Sequence, residues 1–149
     1  FPYTTLFRSM RKNYKIISSF IKDMSSETPD AQTFIFVRDN IPKYRLNIDI
    51  NSKAVRDGII EVNIILKFAD QPEVLKKSHF EITYSSIVKV DEKISDKKEM
   101  EKIILCDVPN KIYPDLERIF LNLLTDSGYP GIKFEKKIDF VKLYKQKSN

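Results

Sequence analysis

One imidazole and one thiol, His79 and Cys106, are the chain's whole supply of the side chains that most often serve as general base and reactive nucleophile. A catalytic nucleophile needs a base within hydrogen-bond reach and a third group to orient that base. His79 opens a run that alternates as a strand does, and Cys106 closes the apolar run Ile103-Ile104-Leu105. Each therefore reads as a structural residue, Cys106 as a small hydrophobe. One histidine and one cysteine supply neither a zinc framework nor an intrachain disulfide. The glycines number three, Gly58, Gly128 and Gly131, too few and too scattered for a phosphate-cradling loop. Carboxylates are plentiful but show no DxD or ExxH spacing. A non-enzyme without cofactor or metal is expected. What remains is non-covalent chemistry, offered by ten phenylalanines and seven tyrosines.

Four segments alternate with the period of a strand. Tyr14, Ile16 and Phe20 fall two or four apart, with Lys15 and Ser19 on the other face. Tyr44, Leu46, Ile48 and Ile50 alternate with Arg45, Asn47 and Asp49. Ile60, Val62, Ile64, Leu66 and Phe68 form the third run, and Phe80, Ile82, Tyr84, Ser86 and Val88 the fourth. One-sided alternation suits antiparallel strands with a single wet face. Asp57-Gly58 marks a hairpin between the second and third runs, and Asp70-Gln71-Pro72 closes the third. The first and second are joined by a longer connection, Ser25 to Pro42, carrying the cluster Phe34-Ile35-Phe36 between Pro29 and Pro42.

Beyond the fourth run, Asp91 to Glu101 is highly charged and reads as an exposed loop or a frayed helical turn. A long amphipathic helix follows, with Ile112, Leu116, Ile119, Phe120, Leu123 and Leu124 on one face. Pro114 suits its first turn, Gly128 its end, and Pro130 forbids resumption. A short helix, Ile138 to about Tyr144, presents Phe140, Leu143 and Tyr144, and must dock on something to be stable. Strands in a block followed by helices give an α+β domain, a four-stranded antiparallel sheet with one long and one short C-terminal helix.

At 149 residues the chain is long enough for one domain that buries roughly two-thirds of its unfolded surface. Its 42% hydrophobic content excludes a disordered class. No window approaches the roughly 18 apolar residues needed to span a bilayer, and Phe1 to Arg11 lacks the pattern of a secretory signal. The cytoplasm is the expected compartment. Residues 1–9 (FPYTTLFRS) read either as a cloning or assembly scar or as a native arm, which leaves 10–149 as the single domain. Net charge is +5, but the lysines are scattered among acids and lack the arginine–aromatic interleaving that stacks bases. No nucleic-acid partner is expected.

Three blocks in order resemble SecB, the bacterial protein-export chaperone family. They are Ile21 to Ala31 (IKDMSSETPDA), the Tyr44 to Ile50 strand, and Ile112-Tyr113-Pro114 with Ser127-Gly128-Tyr129-Pro130 and Ile138-Asp139-Phe140. The chain departs from the family in Lys137, where proline is common, in Asn40, where tryptophan is frequent, and in its basic charge, since members are typically acidic.

The resemblance implies an ATP-independent chaperone that holds unfolded precursors in a translocation-competent state and delivers them to the SecA translocation ATPase. It also implies a homotetramer, a dimer of dimers, with no direct membrane insertion. Clients would lie in grooves lined by Phe34, Ile35, Phe36, Tyr44, Leu46, Ile48, Phe140 and Tyr144. SecA would dock on Asp23, Glu27 and Glu81, and Phe80, Ile82 and Tyr84 would serve subunit association. A chaperone dedicated to one partner, such as an antitoxin, and a basic nucleic-acid-binding module stand as alternatives.

Overall fold

In the computed structural model, residues 13–69, 78–129, 131–134 and 138–148 are described. Residues 1–9, the Asp70–Pro72 turn, Pro130 and Lys137 lie outside them.

Four strands, β1 (Tyr14–Glu27), β2 (Arg45–Arg56), β3 (Ile59–Ala69) and β4 (His79–Val90), form one antiparallel sheet in the order β1-β4-β3-β2. Gly58, at φ 72°, turns β2 into β3. Paired residues share a face. Leu46, Phe68, Phe80 and Ser26 therefore stand in one row, and Ile48, Leu66, Ile82 and Met24 in the next. This inner face carries the buried Val62, Ile64, Leu66, Phe68, Phe80, Ile82, Tyr84 and Val88.

Two shifts in the β1–β4 register, at Ile16/Ser18 and Ile21/Asp23, correct the simple alternation expected for the first strand. An extra residue reverses which face the following side chains occupy. Phe20 thus pairs with Ser85 on the outer face, away from Tyr14 and Ile16, while Ser19 faces inward and bonds Ser86 through their hydroxyls at 2.7 Å.

The Ser25–Pro42 connection is also corrected. β1 continues to Glu27, and Ala31–Asn40 forms helix α1, capped by the Asp30 carboxylate accepting from Thr33 N–H at 2.7 Å. Four consecutive apolar residues, Phe34 to Val37, hide the helical period. Within the charged stretch Asp91–Glu101, Asp96 caps a further helix, α2 (Lys97–Lys102). One π turn (Ile103–Asp107) joins it to α3 (Val108–Asp126), so Pro114 lies inside a helix and not in its first turn. Pro109 has no N–H to return to the Leu105 carbonyl, so the π turn falls where the α pattern already lacks a bond.

Along α3, Ile112, Leu116, Phe120 and Leu124 are buried against the inner face, where Phe120 meets Phe68 edge-on at 6.0 Å. Gly128, at φ 104°, ends the helix, and a Cβ there would lie 2.6 Å from the Phe34 ring. That close approach lets Phe34 stack on Tyr129 at 5.0 Å, with Tyr129 edge-on to Phe80 at 5.6 Å. The last helix, α4 (Phe140–Ser148), docks through Phe140 on Tyr113 at 5.4 Å.

Burial, and then the Glu117 carboxylate, raise the Tyr113 phenol well above its ordinary value of 10.0. Burial, then Asp107, push the Cys106 thiol above 9.0. Both groups stay protonated in the folded chain at a pH where the unfolded chain ionises. Their contribution to stability is therefore complete below about pH 9 and shrinks as pH rises past the unfolded values. Thermal melts between pH 8 and pH 11 are expected to show a falling midpoint, and Tyr113→Phe to flatten the part of the fall that begins near pH 10.

Candidate functional site

Where β2 meets the π turn and α4, the chain leaves a pocket of about 360 Å³. Ile50 and Ser52 line it from the inner face of β2, Ile104 and Leu105 from the π turn, and Glu101 and Tyr144 from the two flanking helices. Ile50, Ile104, Leu105 and the Tyr144 ring form its apolar walls and Asn51, Ser52 and Glu101 its polar ones, with the Tyr144 hydroxyl donating to the Lys98 carbonyl at 3.3 Å. β2 is an edge strand, so one row of its backbone donors and acceptors has no strand beside it among the described residues. An extended chain could add to that edge and drop a side chain into the pocket.

The expected groove residues separate into three groups. Ile35 and Phe36 are exposed on α1, and Tyr144 lines the pocket. Phe34, Leu46 and Ile48 are half-buried against the core. Tyr44 and Phe140, at 8% and 1% exposure, are core residues of the single chain, Tyr44 packing on Phe68 at 5.1 Å. Neither presents much surface to a ligand in this arrangement, Tyr44 lying against Phe68 and Phe140 against Tyr113. Val141 and Leu143 add exposed apolar surface on α4.

Asp23, Glu27 and Glu81 come together on the outer face. Glu81 is the partner of Ser25, and Asp23 and Glu27 lie two residues to either side of Ser25. Glu81 is not free, since Lys67 pairs with it at 3.3 Å. Nearby, Lys22 pairs with Glu61 at 3.0 Å and, with a bond from Asn63, holds the Glu61 carboxyl below its ordinary range. Phe80, Ile82 and Tyr84 are all buried on the inner face of the single chain, so they cannot themselves meet another subunit while the helices cover them.

Sequence reasoning missed the pocket residues Ile50, Ser52, Glu101, Ile104 and Leu105 as a group, since they converge from three elements. It also missed β1 as a sticky edge: Ile17, Phe20, Ile21 and Met24 are all exposed there. The doublets Ile16-Ile17 and Phe20-Ile21, which break strict alternation, were the available signal. His79 is exposed at the start of β4, Cys106 is buried, and no cluster among the described residues is placed to hold a metal ion. No helix among them is long and apolar enough to cross a membrane.

A family model described as preprotein translocase subunit SecB matches residues 8–149. A protein of Pelagibacter ubique (strain HTCC1062), provisionally named protein-export protein SecB, is 84% identical over 140 residues, covering 94% of this chain and 100% of that one. The protein-export protein SecB of Parvibaculum lavamentivorans is 26% identical over 135 residues, 89% of this chain and 77% of that one. Among solved structures, the Mycobacterium tuberculosis Rv1957 SecB-like chaperone, in complex with a ChAD peptide from the Rv1956 HigA1 antitoxin, superposes with a TM-score of 0.64. It is 11% identical, covers 85% of this chain and 91% of its own, and speaks for the fold alone.

Proposed function

The chain belongs to the SecB family of protein-export chaperones, and on that premise we propose that it holds extended, apolar segments of unfolded precursors without nucleotide. The observation that carries the reading is the pocket, walled in part by Ile50, Ile104, Leu105 and Tyr144, against the open edge of β2. Backbone bonds to a strand edge do not depend on side-chain identity, so they suit a protein that must accept many sequences. An apolar client side chain seated among Ile50, Ile104, Leu105 and Tyr144 would supply the remaining affinity. Ile35, Phe36, Val141 and Leu143 would extend the apolar contact along the client. Each contact is weak alone, and several on one assembly add through effective concentration.

Four copies, as a dimer of dimers, are the proposed assembly. Its support is β1, an edge strand of 14 residues with four exposed large apolar side chains, a surface that a lone soluble chain would be expected to cover. The resemblance assigned association to Phe80, Ile82 and Tyr84, and the neighbouring β1 edge now takes that role.

Hand-over to SecA would use Asp23, Glu27 and Glu81 on the outer face, with clients on the other side of the sheet, so both could be bound at once. Lys67 must release Glu81 first, which for a solvent-exposed pair costs about 0–1 kcal/mol. The cytoplasm is the proposed compartment. A chaperone dedicated to one partner remains the second reading, since the solved SecB-like neighbour is bound to an antitoxin peptide.

The test mixes the purified protein with a slowly folding precursor at one tetramer per client and follows refolding. Refolding is expected to be arrested or strongly slowed. Ile104→Ser with Leu105→Ser should weaken client binding about tenfold or more, by removing two apolar walls. Unchanged refolding with the wild-type protein would remove the chaperone reading.

A further inference from the structure

The outer face of the sheet is electrically divided along its length. Toward one end stand Asp23, Glu27, Asp49 and Glu81, against Lys67 and Arg45. Toward the other, Lys15, Lys89, Ile59 and Arg56 form a single row across all four strands, with Ser18, Ile87, Glu61 and Lys53 in the row beside it. With Lys22, this end holds five cations around the one carboxylate of Glu61, which Lys22 and Lys53 both attract. Among the described residues Lys15, Arg56 and Lys89 make no ion pair. Asp57, Asp91 and Glu92 sit in the turns beyond the row, and Glu99 accepts a bond from Asn13 just before β1.

Lys15 and Lys89 are direct cross-strand partners, an arrangement that repels and costs stability unless an anion relieves it. Away from the β1 edge, one large aliphatic residue is exposed at the same end, Val55 at 57%, where a bulge interrupts the β2–β3 register. The row is about 14 Å wide, three strand spacings, and the two rows contain no aromatic side chain on which a base could stack. Lysine and arginine beside a protruding aliphatic side chain match the interface of an anionic bilayer, where cations meet phosphate headgroups and an apolar group reaches the acyl boundary.

We propose that the Lys15–Lys89–Arg56 end of the outer face is a peripheral docking surface for anionic phospholipid. Subunit pairing through the β1 edge leaves this face open. Asp23, Glu27 and Glu81 lie toward the opposite end of the same face, several residues along the strands from the Lys15–Lys89 pair.

The full chain is spun down with sucrose-loaded vesicles of equal parts phosphatidylglycerol and phosphatidylcholine, and with phosphatidylcholine alone. Binding is expected to the first only, and to fall steeply as salt is raised above about 0.1 M. Lys15→Gln with Lys89→Gln should weaken it about thirtyfold, from about fivefold per cation. Removing two exposed lysines from the helices, Lys97→Gln with Lys111→Gln, lowers net charge equally and should leave binding within about twofold. All four side chains are exposed, and melting curves check that each variant folds. No sedimentation with the anionic vesicles, equal sedimentation with neutral ones, or equal losses in the two variants would overturn the assignment. So would tighter binding to single-stranded DNA than to vesicles at the same phosphate concentration.

Discussion

Ile21→Lys combined with Met24→Lys is expected to break the subunit pairing through β1 and lower the mass of the assembly while each chain stays folded. Both side chains sit on the edge strand β1, and both are exposed in the single chain, so neither substitution removes a core contact. In a two-fold contact each position appears twice. Four apolar side chains would leave the interface, at about 1.5–3 kcal/mol each for full burial, and four charges would face one another across it. A loss of about 6 kcal/mol or more corresponds to a dissociation constant raised more than about ten-thousandfold. Light scattering at micromolar protein reads the mass, and a thermal melt reads the fold. A wild-type chain that is already single, or a double variant of undiminished mass, would end the proposal that this edge joins subunits.

Phe80→Ala is expected to cost about 4 kcal/mol of subunit stability, within the range of buried aromatic truncations. The ring is fully buried between Phe68, at 6.3 Å, and Tyr129, at 5.6 Å, so truncation opens a cavity that neither neighbour can fill without moving. A domain with about 5–15 kcal/mol in total loses a large share of it. For a chain of this length the melting midpoint should drop by about 10–15 °C. The result also decides between two roles for the strand. A core position lowers the melting midpoint of dilute, dissociated protein, whereas a pure interface position would change the mass and leave that midpoint alone.

Much of the architecture was legible because it rests on short-range periodicity. The even-numbered apolar residues of β3 and β4 had to share a face whatever packed on them, and one face of α3 was marked by Ile112, Leu116, Phe120 and Leu124. Gly58 and Gly128 announced the hairpin and the helix end, and both adopt positive φ. Helix α1 was hidden by the unbroken run Phe34–Val37, although Asp30 was a readable cap. Pro114 misled, because proline favours a first turn and the helix had already begun upstream.

The candidate site divided in the same way. Residue types alone carried the expectation of a non-enzyme, the wealth of apolar and aromatic side chains, and the likeness to a holding protein, since each depends only on which residues are present and in what order. Exposure did not follow from type: Tyr44 and Phe36 lie eight positions apart in one expected groove lining, yet one is sealed by Phe68 and the other meets solvent. Tertiary pairing alone made β1 and β2 the edges, turned Phe20 outward through the bulge at Ile17, and gathered the pocket from a strand, a π turn and two helices. Composition gives a net charge of +5, while the division of the outer face into acidic and basic ends exists only once register sets Lys15 beside Lys89 and Glu81 between Asp23 and Glu27. Periodicity is written locally along the chain; neighbours across strands are decided by contacts between residues far apart in it.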